Sequence, residues 1–220
     1  MNRILIISNL LFLGAIAVLV KRLIKLSRRS GQPLGWKKSQ IPIISLEEVD
    51  PIFKRNEFGT TWETEVFLVG RAESPAIGAV SDSEAWVLSA LAKKSKNIFE
   101  FGTCTGRTTY LLAKNSPAEA AVTTLTLNNP ADYVRGTSDD ARDTQNALYE
   151  STFEKFFSTG TSVASKIRQL YGDSKKFDET KFAGQCDLIF VDGSHAYSYV
   201  QNDTVKALKM IKPGGIDFMA

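Results

Sequence analysis

Short apolar runs alternate with segments of helical spacing from residue 81 onward, and this alternation constrains the fold more than any other feature. "SDSEAWVLSALAKK" places Ser81 or Ser83 as a cap before Ala85, Val87, Leu88 and Leu91, which predicts a helix ending near Lys94. "NIFEFG" predicts a strand, "RTTYLLAKN" a helix and "AVTTLTL" a second strand. The polar stretch from Asn128 to Ser151 reads as loop with at most one helix. Beyond it, "STFEKFFSTG" predicts a helix, "KIRQLYGD" and "CDLIFVDG" strands, "YVQNDTVKALKMI" a helix, and "KPGGIDFMA" a turn entering a last strand. Such alternation argues for an α/β domain: a doubly wound, mostly parallel sheet with helices on both faces. Ligands of such sheets bind at the carboxyl ends of the strands, near the point where strand order reverses.

The N-terminus carries a different signal. "ILIISNLLFLGAIAVLV", from Ile4 to Val20, has no charge, and Leu23 and Ile24 extend it past Lys21 and Arg22, close to the length a bilayer-spanning helix needs. The rival reading is a cleaved signal peptide, with Ala15-Ile16-Ala17 as its A-x-A site. Continuation of the apolar run into a basic cluster favours the anchor. That cluster would hold the following domain in the cytoplasm, making a single-pass membrane protein attached through its N-terminal helix. The expected organisation is therefore an anchor with a basic flank (1–27), a juxtamembrane linker and extension (28–77) and a catalytic-type domain (78–220). Trp36 beside Lys37 and Lys38 serves equally as an interfacial anchor or an ordinary tryptophan.

Composition is that of an ordinary globular chain, at 43% hydrophobic and 23% charged residues over 220 positions. The net charge of +3 is concentrated in residues 21–38, so nucleic acid gains no support as a partner. Cys104 and Cys186 stand far apart with no zinc-like spacing, which indicates neither a metal framework nor a disulfide and fits a reducing compartment.

"FEFGTCTGRTTYLL" sets an acid and two glycines where a strand passes into a helix, so backbone can approach a ligand and free N–H groups point outward. A P-loop fails on spacing and on the missing lysine; a dinucleotide fingerprint fails because position 104 is Cys. Glu100-Phe101-Gly102-Thr103-Cys104-Thr105-Gly106 does resemble the first motif of class I S-adenosylmethionine-dependent methyltransferases. "YGDS" (171–174), "DLIFVDGSHAYSYVQND" (187–203, with the Asp-Gly-x-His-x-Tyr of the small-molecule O-methyltransferase-like branch) and "LKMIKPGG" (208–215) resemble its later motifs in order, over about residues 78–216.

That resemblance implies a Rossmann-like sheet of order 3-2-1-4-5 and S-adenosylmethionine as cofactor. Glu100, with Gly102 and Gly106, would serve the methionine end, Thr103 and Thr108 would either cap the helix or touch the cofactor's carboxylate, Asp173 with Ser174 would meet the adenine amino group, and Asp192 would face the cleft. Thr126 stands where the family carries a ribose-binding acid, leaving Asn128 as the nearest substitute, without a carboxylate's charge-assisted strength. Asp192 and His195 are the catalytic candidates, as bases for an acceptor hydroxyl, and the candidates for Mg²⁺. Arg107 reads as solvated, and Asp217 lies too early to match the family's second metal-binding acid.

The implied activity is O-methylation of a small or lipid-linked acceptor, for example a sugar, at the cytoplasmic membrane face. The alternatives are a non-catalytic or truncated binding module and a nicotinamide-dependent oxidoreductase. The chain stops before the family's sixth and seventh strands, so it reads as truncated, or as leaving a sheet edge to be covered by an oligomer or partner.

Overall fold

The computed structural model of the protein describes residues 16, 18–24, 44–70 and 77–219. It divides into two units, Met1–Val49 and Asp50–Ala220. In the first, residues 18–24 are helical (α1) and a single turn, α2, spans Leu46–Val49. The expected N-terminal transmembrane helix is corrected here: among the described residues no helix is long and apolar enough to cross a membrane. The described part of that span covers about two turns and contains Lys21 and Arg22, far short of the ~20 apolar residues a bilayer requires. Residues 4–15 and 17 of the expected span lie outside the described residues. The single-pass, cytoplasm-facing placement that depended on the span is withdrawn with it.

The second unit begins with a short antiparallel hairpin of β1 (Arg55–Asn56) and β2 (Gly59–Thr60). Then follow α3 (Asp82–Ala92), β3 (Asn97–Phe101), α4 (Arg107–Asn115), β4 (Ala121–Thr126), α5 (Ala141–Glu150), β5 (Ile167–Tyr171), β6 (Cys186–Val191), α6 (Tyr197–Met210) and β7 (Ile211–Met219). The sheet order is β5-β4-β3-β6-β7 with every pair parallel, so the core strands run 3-2-1-4-5 as the motif order implied. Order reverses between β3 and β6, which fixes where a ligand crevice must open.

Strand alternation sorts the apolar residues into two layers. Ile98, Val122, Leu188 and Phe190 point to one face and meet Leu88 and Leu91 of α3 and Leu112 of α4. Phe99, Phe101, Leu125 and Ile189 point to the other and meet Ala207 and Met210 of α6. The central strands read as near-continuous apolar runs because both of their faces are covered. Ser81 opens α3 with a capping box, its hydroxyl accepting from the Glu84 N–H and its own N–H donating to the Glu84 carboxylate. Asp187 ties the strand starts together by accepting from the Lys96 and Asn97 N–H groups, both at 2.7 Å, and pairing with Lys212. Burial pushes its carboxyl up, but these partners outweigh burial and hold it below the usual range.

Two local expectations are corrected. "STFEKFFSTG" forms turns, because Phe157 spends its N–H on the Thr105 carbonyl at 2.8 Å, folding the segment back onto the glycine turn. The "KPGG" turn lies inside β7 as an irregularity, where register shifts between Cys186 and Leu188.

Phe190 is wholly buried in the α3/α4 layer. Phe190→Ala is expected to lower unfolding free energy by about 3–5 kcal/mol in urea titration; a loss below ~1 kcal/mol would contradict this layer as core.

Candidate functional site

The crevice is built from the carboxyl ends of β3, β4 and β6. Gly102 follows β3 with φ +93°, and a Cβ there would overlap the Asp192 carbonyl and Gly193 Cα, so the turn needs glycine for both conformation and space. The Gly102 N–H donates to the Leu125 carbonyl at 2.8 Å and the Asp192 N–H to the Phe101 carbonyl at 2.9 Å, knitting the three strand ends. Gly106 (φ +72°) is the N-cap of α4, where a Cβ would press on Phe156. Arg107 is not solvated: its guanidinium donates to the carbonyls of Val69 and Gly70 and lies 5.2 Å from the Phe157 ring centroid.

Beneath this turn runs a buried polar chain. The Gln169 amide donates to Thr103 Oγ1 at 3.0 Å, and Thr103 and Thr124 hydroxyls are 2.8 Å apart. Thr124 Oγ1 lies 2.7 Å from Glu100 Oε2, extending the chain to the carboxyl. Thr109 donates to Glu100. Burial, only partly offset by these two hydroxyls, pushes the Glu100 carboxyl up to about 8, which leaves it neutral at pH 7.

A cleft opens above the turn. Its apolar wall includes Phe101, Leu125 and Leu127, while Glu150, Asp173, Asp192 and Asp203 supply four carboxyl groups. No lysine, arginine or histidine among the described residues lines it. Asp173 is buried; its Oδ1 accepts from the Lys175 N–H at 2.9 Å, whereas its Oδ2 has no hydrogen-bond partner among the described residues. The Tyr199 hydroxyl stands near this carboxylate, which helps push the phenol up, without completing a hydrogen bond to Oδ2; an orphaned acceptor is unusual in a folded interior. Asp203 accepts from Asn202 at 2.8 Å and is pushed up to about 6 by burial.

The nearby cations are turned elsewhere. Lys206 donates to the Ser174 carbonyl at 2.7 Å and to the Lys175 and Phe177 carbonyls, pinning the turn after β5. Lys175 donates to the Val134 carbonyl and the Ser198 hydroxyl, both at 2.6 Å, and lies over the Tyr199 ring. Tyr199 in turn stacks on Tyr133 with centroids 4.6 Å apart and accepts the Val134 N–H, closing one side of the cleft.

A second, more open cavity adjoins the first. Ser81, Glu84 and His195 line it, and Cys104, Glu150 and Asp192 form a wall common to both cavities. His195 Nε2 lies 3.9 Å from Asp192 Oδ1, an ion-pair distance rather than a hydrogen bond. Burial pushes the Asp192 carboxyl up to about 6, opposed by His195 and reinforced by Glu150 and Glu84.

Of the residues expected at the site, Gly102, Asp173, Ser174 and Asp192 line the cleft, and His195 lines the adjoining cavity. Glu100 and Thr103 lie under the turn, Gly106 and Thr108 support the start of α4, and Asn128 is exposed; none of these five lines the cleft. Thr126, rather than Asn128, occupies the cleft wall at the end of β4. Glu150, Tyr199 and Asp203 were not singled out from sequence. Tyr199 and Asp203 share one face of α6 at i, i+4, and both line the cleft. For Mg²⁺ the donor set does not fit: no three His, Cys, Asp or Glu side chains among the described residues converge to hold a metal, and Asp192 with His195 makes only a pair.

A family model described as "Methyltransferase domain" matches residues 99–219. No curated protein matches the sequence. Similar solved structures include the O-methyltransferase TomG from Streptomyces achromogenes, in complex with SAM, at 22% identity and TM-score 0.43, covering 64% of this chain and 56% of that one. The cofactor-bound Rv0187 from MTB is similar at 22% identity and TM-score 0.46, covering 67% and 59%. The SAH-bound methyltransferase PaMTH1 from Podospora anserina is similar at 17% identity and TM-score 0.40, covering 64% and 53%. The chain thus spans little more than half the length of these solved proteins.

The neutral Glu100 gives the fold a pH signature. Its folded value lies above the ordinary 4.5, so the folded state holds a proton that the unfolded state releases. The stability this contributes is complete below about pH 4.5 and is lost as pH rises through about 8. Urea midpoints of the wild type should therefore fall relative to Glu100→Gln between pH 5 and 8; a constant difference would contradict a neutral Glu100.

Proposed function

The chain belongs to the methyltransferase-domain family, and from that premise we propose that it transfers a methyl group from S-adenosylmethionine to a hydroxyl of a small molecule, for which a sugar is a fitting example. The observation that carries this reading is a carboxylate-lined cleft at the topological switch point that, among the described residues, has no cation in its lining and leaves the buried Asp173 Oδ2 without a hydrogen bond. A ligand with a sulfonium, an ammonium and an aromatic amine is complementary to such a lining; a phosphate ester is not.

S-adenosylmethionine, when bound, supplies an electrophilic methyl group on positively charged sulfur. Asp173 offers Oδ2 to the adenine amino group, with Leu127 and Tyr133 as apolar walls nearby. Gly102 lets backbone approach without a side chain intervening. The adjoining cavity receives the acceptor, where Asp192 and His195 stand together to orient its hydroxyl and take its proton. The carboxyl of Asp192, raised to about 6, is ionised at neutral pH yet basic enough to accept a proton in passing.

Thr126 favours a second reading. With no carboxylate at the end of β4 to hold the ribose diol, a domain that binds cofactor without turnover also fits. Exchange of methyl label from S-adenosylmethionine into hydroxylated acceptors separates the two.

Calorimetry of the full chain with S-adenosylhomocysteine tests the cofactor reading. Binding is expected in the wild type and should weaken roughly 10- to 100-fold in Asp173→Ala, the loss of a hydrogen bond to a charged group. A folded wild type that binds neither S-adenosylhomocysteine nor S-adenosylmethionine would sink the proposal.

A further inference from the structure

Glu150 is placed against several ordinary preferences. It is the last residue of α5, where the helix dipole disfavours negative charge. It is half-buried, and its carboxyl is pushed up by burial, with His195 as the only opposing charge. No hydrogen bond or ion pair to it occurs among the described residues, and it faces a second carboxylate, Asp192, which feels its charge. Helix α5 buries none of its residues, so core packing does not explain why its final side chain turns inward. A local rule broken without structural compensation is a feature expected of functional positions.

The cavities locate what this side chain faces. Among the described residues, the cofactor cleft and the acceptor cavity share Cys104, Glu150 and Asp192 in their linings. Methyl transfer is an in-line displacement, so the sulfur that surrenders the methyl group must lie at that common wall, with the acceptor beyond it. Of the three wall residues, Cys104 stays a neutral thiol, pushed up to about 12 chiefly by burial. The wall's charge is thus supplied by Glu150 from α5 and Asp192 from the end of β6.

We propose that Glu150 is a specificity-determining residue that reads the positive charge on sulfur, so that the site prefers the sulfonium cofactor over its neutral thioether product. This rests on the S-adenosylmethionine reading given above. Glu150 attracts the charged form before transfer, and the attraction ends when the methyl group leaves with the sulfur's positive charge, which favours release of the spent cofactor. The covalent change is the one already described: the S–CH₃ bond breaks, the O–CH₃ bond forms, the sulfur keeps the bonding pair, and the acceptor proton passes to the Asp192–His195 pair.

The test is calorimetric titration of full-length wild type, Glu150→Gln and Glu150→Asp with S-adenosylmethionine and S-adenosylhomocysteine. The wild type should bind S-adenosylmethionine the more tightly. Glu150→Gln should weaken S-adenosylmethionine roughly tenfold, the scale of one partly solvated charge pair, while S-adenosylhomocysteine changes less than about twofold and so reports an intact fold. Glu150→Asp, which keeps the charge, should retain most of the preference. Equal wild-type affinities, or equal weakening of both ligands in Glu150→Gln, would overturn the inference and leave the cofactor reading standing. A folded wild type that binds neither ligand would overturn both.

Discussion

Everything at the site depends on how closely the end of β3 approaches the end of β6. Gly102 lies so near the Asp192 carbonyl and Gly193 that no side chain fits between them, and the Asp192 N–H, donating to the Phe101 carbonyl, locks the approach. This contact sets where Asp192 enters the crevice and where α4 begins. It lies at the one point in the sheet where strand order reverses, so the two adjoining crossovers depart to opposite faces and leave space above. The apolar layers on either side of the sheet hold the strands rigid enough for a contact this tight to persist.

Electrostatics follow from the same arrangement. Four carboxyl groups gather in the cleft while Lys175 and Lys206, which could neutralise them, are committed to backbone carbonyls that shape its walls. Burial, with a lesser contribution from neighbouring carboxylates, pushes Asp192 and Asp203 up to about 6. Glu100 avoids adding to that charge by staying neutral beneath the turn, where its hydroxyl partners secure β4 and α4 instead. A cationic ligand would relieve what remains.

Much of this was legible in sequence because it is encoded locally. Apolar runs at strand length, the Ser81 cap and the glycines after "NIFEF" all report nearest-neighbour physics, and the core strand order follows from the order of the motifs. Strand parity, read strictly, separates Glu100 from the cleft: it shares a face with Ile98, toward α4, whereas motif spacing alone suggested a ligand contact. Asn128 stands exposed because β4 ends at Thr126 and the chain has turned to solvent two residues later. The turns at 151–160 and the inward Glu150 depend on contacts with residues 104–106 and 192–195, distant in sequence and invisible to periodicity. At the N-terminus, hydropathy counted apolar residues, whereas the described helix there spans only 18–24 and carries two charges.

The central claim is that the crevice above the glycine turn is a cofactor site whose unpartnered Asp173 oxygen awaits a donor. A crystal structure of the full chain grown with S-adenosylhomocysteine tests it most directly. The account predicts density in the cleft with the adenine amino group on Asp173 Oδ2 and the sulfur beside Glu150 and Asp192. Ligand bound elsewhere, or bound in the cleft with Asp173 Oδ2 still without a partner, would contradict it.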